Sequence, residues 1–274
     1  MNTENNTTVV LITGGSSGIG KSIGTFLANK GYIVYGTSRN PSKFDDFQPF
    51  RLLQLDVADT KTIESAVNEI AEKHGRLDIL INNAGAGIMG AIEEVPHDEI
   101  LKNFTTNYFG PINVTKAVLP LMRKQGNGLI INVTSIAGYM GLPYRGIYSA
   151  SKAALEITTE AWRMELKSFN IEMTNVAPGD FATNIAAGRY HAPILEGSPY
   201  EQSYGDALKL MNEHVDAGSD PQEMAKVVYN IIKTKKPKVH YKVGAFMQKF
   251  SIVLKRILPD KVYEKLLMNH YQIK

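Results

Sequence analysis

A chain of 274 residues with 43% hydrophobic content can bury one large α/β core, so a single domain is expected and a small stapled scaffold is not. The absence of cysteine removes disulfides, thiolate nucleophiles and cysteine-ligated metals, and the six scattered histidines form no HExxH pair, so no metal site is expected. The net charge of +3 is too diffuse for a nucleic-acid surface; it belongs to the tail, since 231–274 carries eleven Lys and Arg against two acids.

The first eight residues are polar and lack a basic n-region, and the apolar run after them stops at Gly14, which predicts a first strand and not a signal peptide. Nowhere do roughly 18 apolar residues run together, so no spanning helix and a cytoplasmic protein are expected. Short β-branched runs at 8–13, 33–37, 52–57, 77–82, 128–134 and 171–176 predict strands buried on both faces. Helical patterns lie between them at 18–30, 60–74, 98–124 and 148–169, with Gly110-Pro111 and Pro120 bending the third. That alternation predicts a Rossmann-type doubly wound parallel sheet over 1–243. Residues 184–205, rich in Gly, Pro and Tyr without a steady period, predict a substrate lid. Helical character returns at 204–216 and 221–233, a last strand is expected at 239–243, and 244–274 forms an amphipathic helical extension.

The turn from the first strand into the first helix reads Thr13-Gly-Gly-Ser-Ser-Gly-Ile-Gly20. Backbone N–H groups of Gly14, Ser16, Ser17, Gly18 and Ile19, together with the positive end of the helix dipole, suit a pyrophosphate, while Gly20 allows close packing of helix on strand. The same stretch satisfies a second pattern, GxxxxGK[ST] over 15–22, with Lys21 for phosphate, Ser22 for magnesium and Asp56 as an acid after the third strand. That P-loop NTPase reading leaves every later motif unexplained, and Gln54 interrupts the apolar strand it requires. The second strand ends in Ser38-Arg39, where an NAD enzyme places an acid for the ribose hydroxyls; Arg39 can hold a 2′-phosphate, so NADP(H) is the expected cofactor.

Tyr148 and Lys152 stand at i and i+4, one above the other on a single helix face, and a fixed cation near a phenol favours the phenolate. Ser135, at the end of the fifth strand, can hydrogen-bond a reacting carbonyl oxygen. With the glycine turn, Asn82-Asn-Ala-Gly85, Asn107, Ser135, Tyr148, Lys152 and Pro178-Gly179 in order and spacing, the chain from about 8 to 183 resembles the short-chain dehydrogenase/reductase family. The motifs NAGAGIMG at 83–90, SKAALE at 151–156 and PKVHYKVG at 237–244 resemble its 17β-hydroxysteroid dehydrogenase-like and retinol dehydrogenase-like branch.

The resemblance implies hydride transfer between a nicotinamide and a carbonyl or alcohol carbon, from the 4-pro-S position. It gives Tyr148 the acid/base role, Ser135 the carbonyl oxygen, Lys152 the nicotinamide ribose and Asn107 a water of the proton relay. It places Asp56 and Val57 by the adenine, Asn83, Ala84 and Gly85 on the adenosine side, and Pro178, Gly179 and Thr183 by the carboxamide. Met89, Tyr139, Leu142, Tyr144 and Tyr190 flank these segments and predict a largely apolar pocket for a bulky steroid-, retinoid- or lipid-like substrate. The long helices at 98–124 and 148–169 resemble those that pair subunits in the family, which implies a dimer or tetramer. A catalytically silent NADP-binding sensor is the reading from another class, and the intact Ser135, Tyr148 and Lys152 argue against it. In 244–274, apolar residues at helical spacing accompany Lys249, Lys255, Arg256, Lys261 and Lys265. Such a face closes over the pocket, meets a neighbouring subunit, or lies in an anionic membrane interface.

Overall fold

Val9, Val10, Leu11 and Ile12 are all fully buried, which only a strand covered on both faces allows. In the computed structural model, which describes residues 8–44, 46–181, 188–216 and 218–273, they form β1 (Val9–Ile12), an interior strand of a seven-stranded parallel sheet. The others are β2 (Ile33–Ser38), β3 (Arg51–Gln54), β4 (Ile79–Asn82), β6 (Gly128–Val133), β7 (Ile171–Pro178) and β9 (His240–Val243), in spatial order β3-β2-β1-β4-β6-β7-β9. Two short strands absent from the sequence reading, β5 (Ile88–Met89) and β8 (Tyr190–His191), pair in parallel beside the main sheet.

Alternate residues of β1 feed two cores. Val9 and Leu11 pack with α2 (Thr60–His74) and α4 (Gly110–Gln125), whereas Val10 and Ile12 pack with α1 (Gly18–Ala28) and α7 (Pro221–Ile232). Each fully buried Leu or Ile contributes about 1.5–3 kcal/mol to this sandwich. α2 shows how the sequence sets an element: Asp59 caps it by accepting from Lys61 N at 3.0 Å, and Ile63, Ala66, Val67 and Ile70 make the single buried stripe that faces the sheet.

The expected long third helix divides into α3 (His97–Phe104), a π-helical turn at Thr105–Phe109, and α4, whose first turn holds Pro111. Pro111 lacks an N–H where a first turn needs none, and Pro120 is accommodated within α4. The π turn rotates Asn107 inward until it is fully buried. α5 (Gly146–Glu165) carries Tyr148 and Lys152. The expected lid is part strand: β8 lies within it, and α6 (Glu201–Asp216) begins before its end. The tail forms α8 (Phe246–Ile257) and α9 (Asp260–His270), which pack through Ile252 and Tyr263 on Ile136, Met140 and Ala177. Among the described residues no helix is long and apolar enough to cross a membrane.

Candidate active site

Parallel strands end along one edge of the sheet, and the crevice there is where the β1–α1 turn, the β4 end and the β6 end converge. Gly14 takes φ +64°, and a side chain at Gly20 would run into the Gly14 carbonyl, so the turn closes only around glycine. Asn83 latches it: Nδ2 donates to Thr13 O at 3.0 Å and Gly14 O at 3.1 Å, while Thr13 Oγ1 accepts from Asn83 N and Ala84 N, both at 3.0 Å. Asn83 therefore holds the loop that would cradle the cofactor, a role the sequence reading assigned only broadly.

A cavity of about 600 Å³ runs along this turn. Gly14, Ser16, Ser17, Gly18 and Ile19 line one wall, Ser38 and Arg39 the far end, and Asp56, Val57, Asn83, Ala84 and Gly85 the opposite side. Gly20 lies behind the wall, in the packing of α1 on the turn. Lys43 also lines the Arg39 end; it sits outside every strand and helix pattern, which is why sequence reasoning passed over it. A dinucleotide fits this donor set: backbone N–H groups at a helix N-terminus for the pyrophosphate and two cations beyond β2. Lys21 does not serve the cavity. It is exposed, with Nζ 5.1 Å from the Phe47 ring centroid, so the lysine that the NTPase pattern needs on phosphate faces the other way.

The cleft continues past Ile19, Asn83 and Gly85 into a second cavity lined by Ser135, Tyr148, Lys152, Pro178 and Gly179. Ser135 is fixed where β6 ends, its Oγ accepting from Ala137 N at 3.1 Å. Lys152 is buried, donates to Val133 O at 3.1 Å, and stands 6.0 Å from the Tyr148 ring centroid. Burial holds its ammonium below the ordinary lysine range, against the opposing pull of Tyr148 and Glu156. Asn107 lies behind this wall: Nδ2 donates to Ala86 O at 2.8 Å and Ser151 Oγ at 3.1 Å, and Oδ1 accepts from Ala86 N at 2.8 Å. Thr183 lies outside the described residues.

A third cavity, of about 490 Å³, opens from Ser135, Arg145, Gly179 and Asp180 and runs under α8 and α9, lined by Met140, Leu142, Met211, Leu254 and Leu267. Of the expected substrate residues, Leu142 lines it, while Met89 and Tyr144 line a neighbouring cavity of about 380 Å³. Tyr190 packs in the cluster around β5 and α6. Tyr139 departs from the expectation, because its hydroxyl is drawn away from the cavity to donate to Glu156 Oε2 at 2.9 Å. Sequence reasoning also missed a buried polar row, in which Asn82, Asn132, Asn175 and His240 stand in register across β4, β6, β7 and β9. Asn82 Nδ2 donates to Asn132 Oδ1 at 2.8 Å, and Asn175 Nδ2 to Glu156 Oε2 at 3.0 Å.

Comparison with known proteins agrees with this geometry. Residues 8–193 match the model of the short chain dehydrogenase family. A 3-ketodihydrosphingosine reductase of Bacteroides thetaiotaomicron is 40% identical over 267 residues, covering 97% of this chain and 98% of that protein. An NADPH-dependent 3-dehydrocapnine reductase of Ornithobacterium rhinotracheale is 30% identical over 272 residues, 93% of this chain and 94% of its own length. A solved short-chain dehydrogenase from Streptomyces avermitilis superposes with a TM-score of 0.83 at 29% identity, covering 97% of both chains. With its sheet order, glycine turn and Ser135, Tyr148 and Lys152 on one cavity wall, the chain belongs to the short-chain dehydrogenase family of oxidoreductases.

Proposed function

We propose that this protein is an NADP(H)-dependent reductase of long-chain lipid ketones, with Tyr148 as the proton donor. One observation carries the reading: the wall of Ser135, Tyr148 and Lys152 stands between the cofactor cleft and an apolar cavity large enough for part of an alkyl chain. Two relatives that span nearly the whole chain, named for reducing 3-keto and 3-dehydro compounds, support the direction and the substrate class.

The bound nicotinamide supplies the hydride. Ser135 and the Tyr148 hydroxyl hold the carbonyl oxygen and stabilise its developing charge, and Tyr148 gives that oxygen its proton. Lys152, kept rigid by Val133 O, presents a poorly solvated cation to the ribose side and to the phenol. Asn107 braces the turn at Ala86 and stands at the entry of the proton relay. Arg39 and Lys43, with Ser38 between the end of β2 and the cavity, support NADP over NAD through contact with the 2′-phosphate. The test is NADPH oxidation followed at its absorbance band with a panel of long-chain 3-ketones, short ketones and sugars. Turnover confined to the sugars overturns the substrate class, and no turnover of any ketone overturns the reaction.

Two surfaces complete the proposal. Leu101, Phe109, Ile157 and Met164 are exposed on α3, the π turn and α5, and a second copy of the chain covers them. An Ile157→Arg/Met164→Glu variant is expected to sediment as a smaller species than the wild type. The outer face of α8 rests on an anionic lipid interface, which places the cavity mouth at the supply of a water-insoluble substrate.

A further inference from the structure

The catalytic cavity carries more positive charge than the reaction uses. Among the described residues, Arg145, Lys152 and Arg189 line it against a single carboxylate, Asp180. Lys152 has its role in the reaction. The two half-buried guanidiniums do not, and partly desolvated cations facing an uncharged ketone would be a cost without return.

Arg189 lies within the expected lid and folds back across Gly87, where an added Cβ would stand 2.7 Å from its Cγ and 2.9 Å from its Nε. Its Nη1 is buried and has no hydrogen-bond partner among the described residues. Arg145 lies 5.3 Å from the Tyr148 ring centroid, so its charge sits beside the group that protonates the substrate. Burial first and the neighbouring Arg145 second press the Arg189 guanidinium below its usual range, against the opposing pull of Tyr148 and Asp180. Asp180 accepts from Gln248 Nε2 at 2.7 Å, and its one charge leaves the two arginines and Lys152 in excess. The cofactor's pyrophosphate has its own donors in the glycine-turn cavity, which neither arginine lines.

We propose that Arg145 and Arg189 form a binding site for an anionic group, a sulfonate, carboxylate or phosphate, carried by the substrate close to its reacting carbon. The inference rests on the lipid-ketone reading and narrows it. The alkyl chain enters the apolar cavity under α8 and α9, the anion meets the two guanidiniums, and the carbonyl is held between them against Ser135 and Tyr148. Arginine suits this task because its planar fork pairs with two anion oxygens at once.

Titration calorimetry of the protein–NADP⁺ complex tests this without turnover. The probes are a medium-chain alkylsulfonate below its micelle concentration, the alcohol of the same chain length, and sodium sulfate alone. The sulfonate is expected to bind at least about tenfold tighter than the alcohol. That ratio should fall towards one in Arg189→Gln and in Arg145→Gln, and Arg189→Lys should keep part of it. Equal affinity of the wild type for sulfonate and alcohol overturns the proposal, as does a ratio unchanged in both glutamine variants. Sulfate competing as well as the alkylsulfonate assigns the site to free anions and also overturns it. So does an Arg189→Gln variant that loses NADP⁺ affinity while keeping the ratio, since the guanidinium would then serve the cofactor. If the sulfonate binds as described but no ketone is reduced, the reductase reading fails, and what stands is the anion site at Arg145 and Arg189 without its place in that reaction.

Discussion

Glu156 Oε2 lies 2.6 Å from His240 Nδ1, one helical turn beyond Lys152 on α5, and the pair closes the buried polar row that ends on β9. Glu156 is 5% exposed and accepts further hydrogen bonds from Thr134 Oγ1, Tyr139 Oη and Asn175 Nδ2, so its carboxylate stays satisfied whichever form the imidazole takes. Thr134 precedes Ser135, and through it Glu156 positions the end of β6.

The hydrogen bond to Glu156 raises the His240 pKa above the ordinary 6.5, with Glu160 adding at the outer nitrogen and burial opposing. A folded value above the unfolded one means that the pair's stabilisation is fully present below about pH 6.5 and is lost as the pH rises through the folded value. His240→Gln is therefore expected to lose about 1–2 kcal/mol at mildly acidic pH and progressively less as the solution becomes alkaline. Chemical denaturation of both proteins across that range checks it. A difference that grows with pH would contradict the assignment.

The sheet was legible in the sequence because its strands are buried on both faces and leave continuous apolar runs between helical stripes, as 9–12 and Thr60–His74 show. The cofactor cleft was legible because a turn that only glycine can close leaves a spacing in the chain. What escaped depends on contacts between distant segments. β5 and β8 are two residues each and exist only by pairing across 102 positions, Ile88 with Tyr190 and Met89 with His191. Arg189 carries no pattern at all; its place in the catalytic cavity follows from the loop laying it across Gly87. Tyr139 was read as a pocket residue from its neighbours in sequence, but a buried carboxylate on α5 decides where its hydroxyl goes.

Removing the Tyr148 hydroxyl separates chemistry from binding. Tyr148→Phe keeps the ring that packs among Tyr144, Ile147 and Tyr204, so folding and NADPH affinity should hold. If Tyr148 is the proton donor proposed, its loss should lower kcat by about 10²–10⁴-fold. Single-turnover hydride transfer, read by the loss of NADPH absorbance, measures the effect. A variant within threefold of the wild type would remove Tyr148 from the mechanism.

Cofactor choice rests on the end of β2. Ser38 and Arg39 line the cleft together with Lys43, and Ser38 Oγ already accepts from Asn40 N at 3.2 Å, so the strand end is held in place. A Ser38→Asp/Arg39→Ala variant places a carboxylate where a 2′-phosphate would stand and removes one cation. The ratio of kcat/KM for NADPH over NADH should fall by at least about a hundredfold, to a value below one. Lys43→Ala alone should weaken NADPH about threefold to tenfold and leave NADH unchanged. A wild type with equal kcat/KM for the two cofactors would defeat the reading.

The lipid-interface reading of α8 makes the last prediction. The helix is apolar on two sides: Ile252 is buried against the core, while Phe246, Met247 and Ile257 are 72%, 66% and 67% exposed. Phe246 and Phe250 stack with centroids 5.7 Å apart, a ring pair facing outward. Met247 and Leu266 are both exposed and both line the cavity under the tail, so the opening of that cavity lies inside the apolar patch. Lys249, Lys255, Arg256, Lys261 and Lys265 lie on the same two helices, Lys255 paired with Asp260, and this excess of cations suits an anionic surface, each unpaired charge adding up to about 1 kcal/mol near such a membrane. Full-length protein should sediment with phosphatidylserine vesicles, weakly with neutral vesicles, and less as salt rises. Phe246→Ser/Ile257→Ser changes only exposed side chains, so it should stay folded while its partition onto those vesicles falls by at least about tenfold. Negligible sedimentation of the wild type would sink the idea. A double variant that binds vesicles as before but sediments as a smaller oligomer would assign the patch to a second copy of the chain.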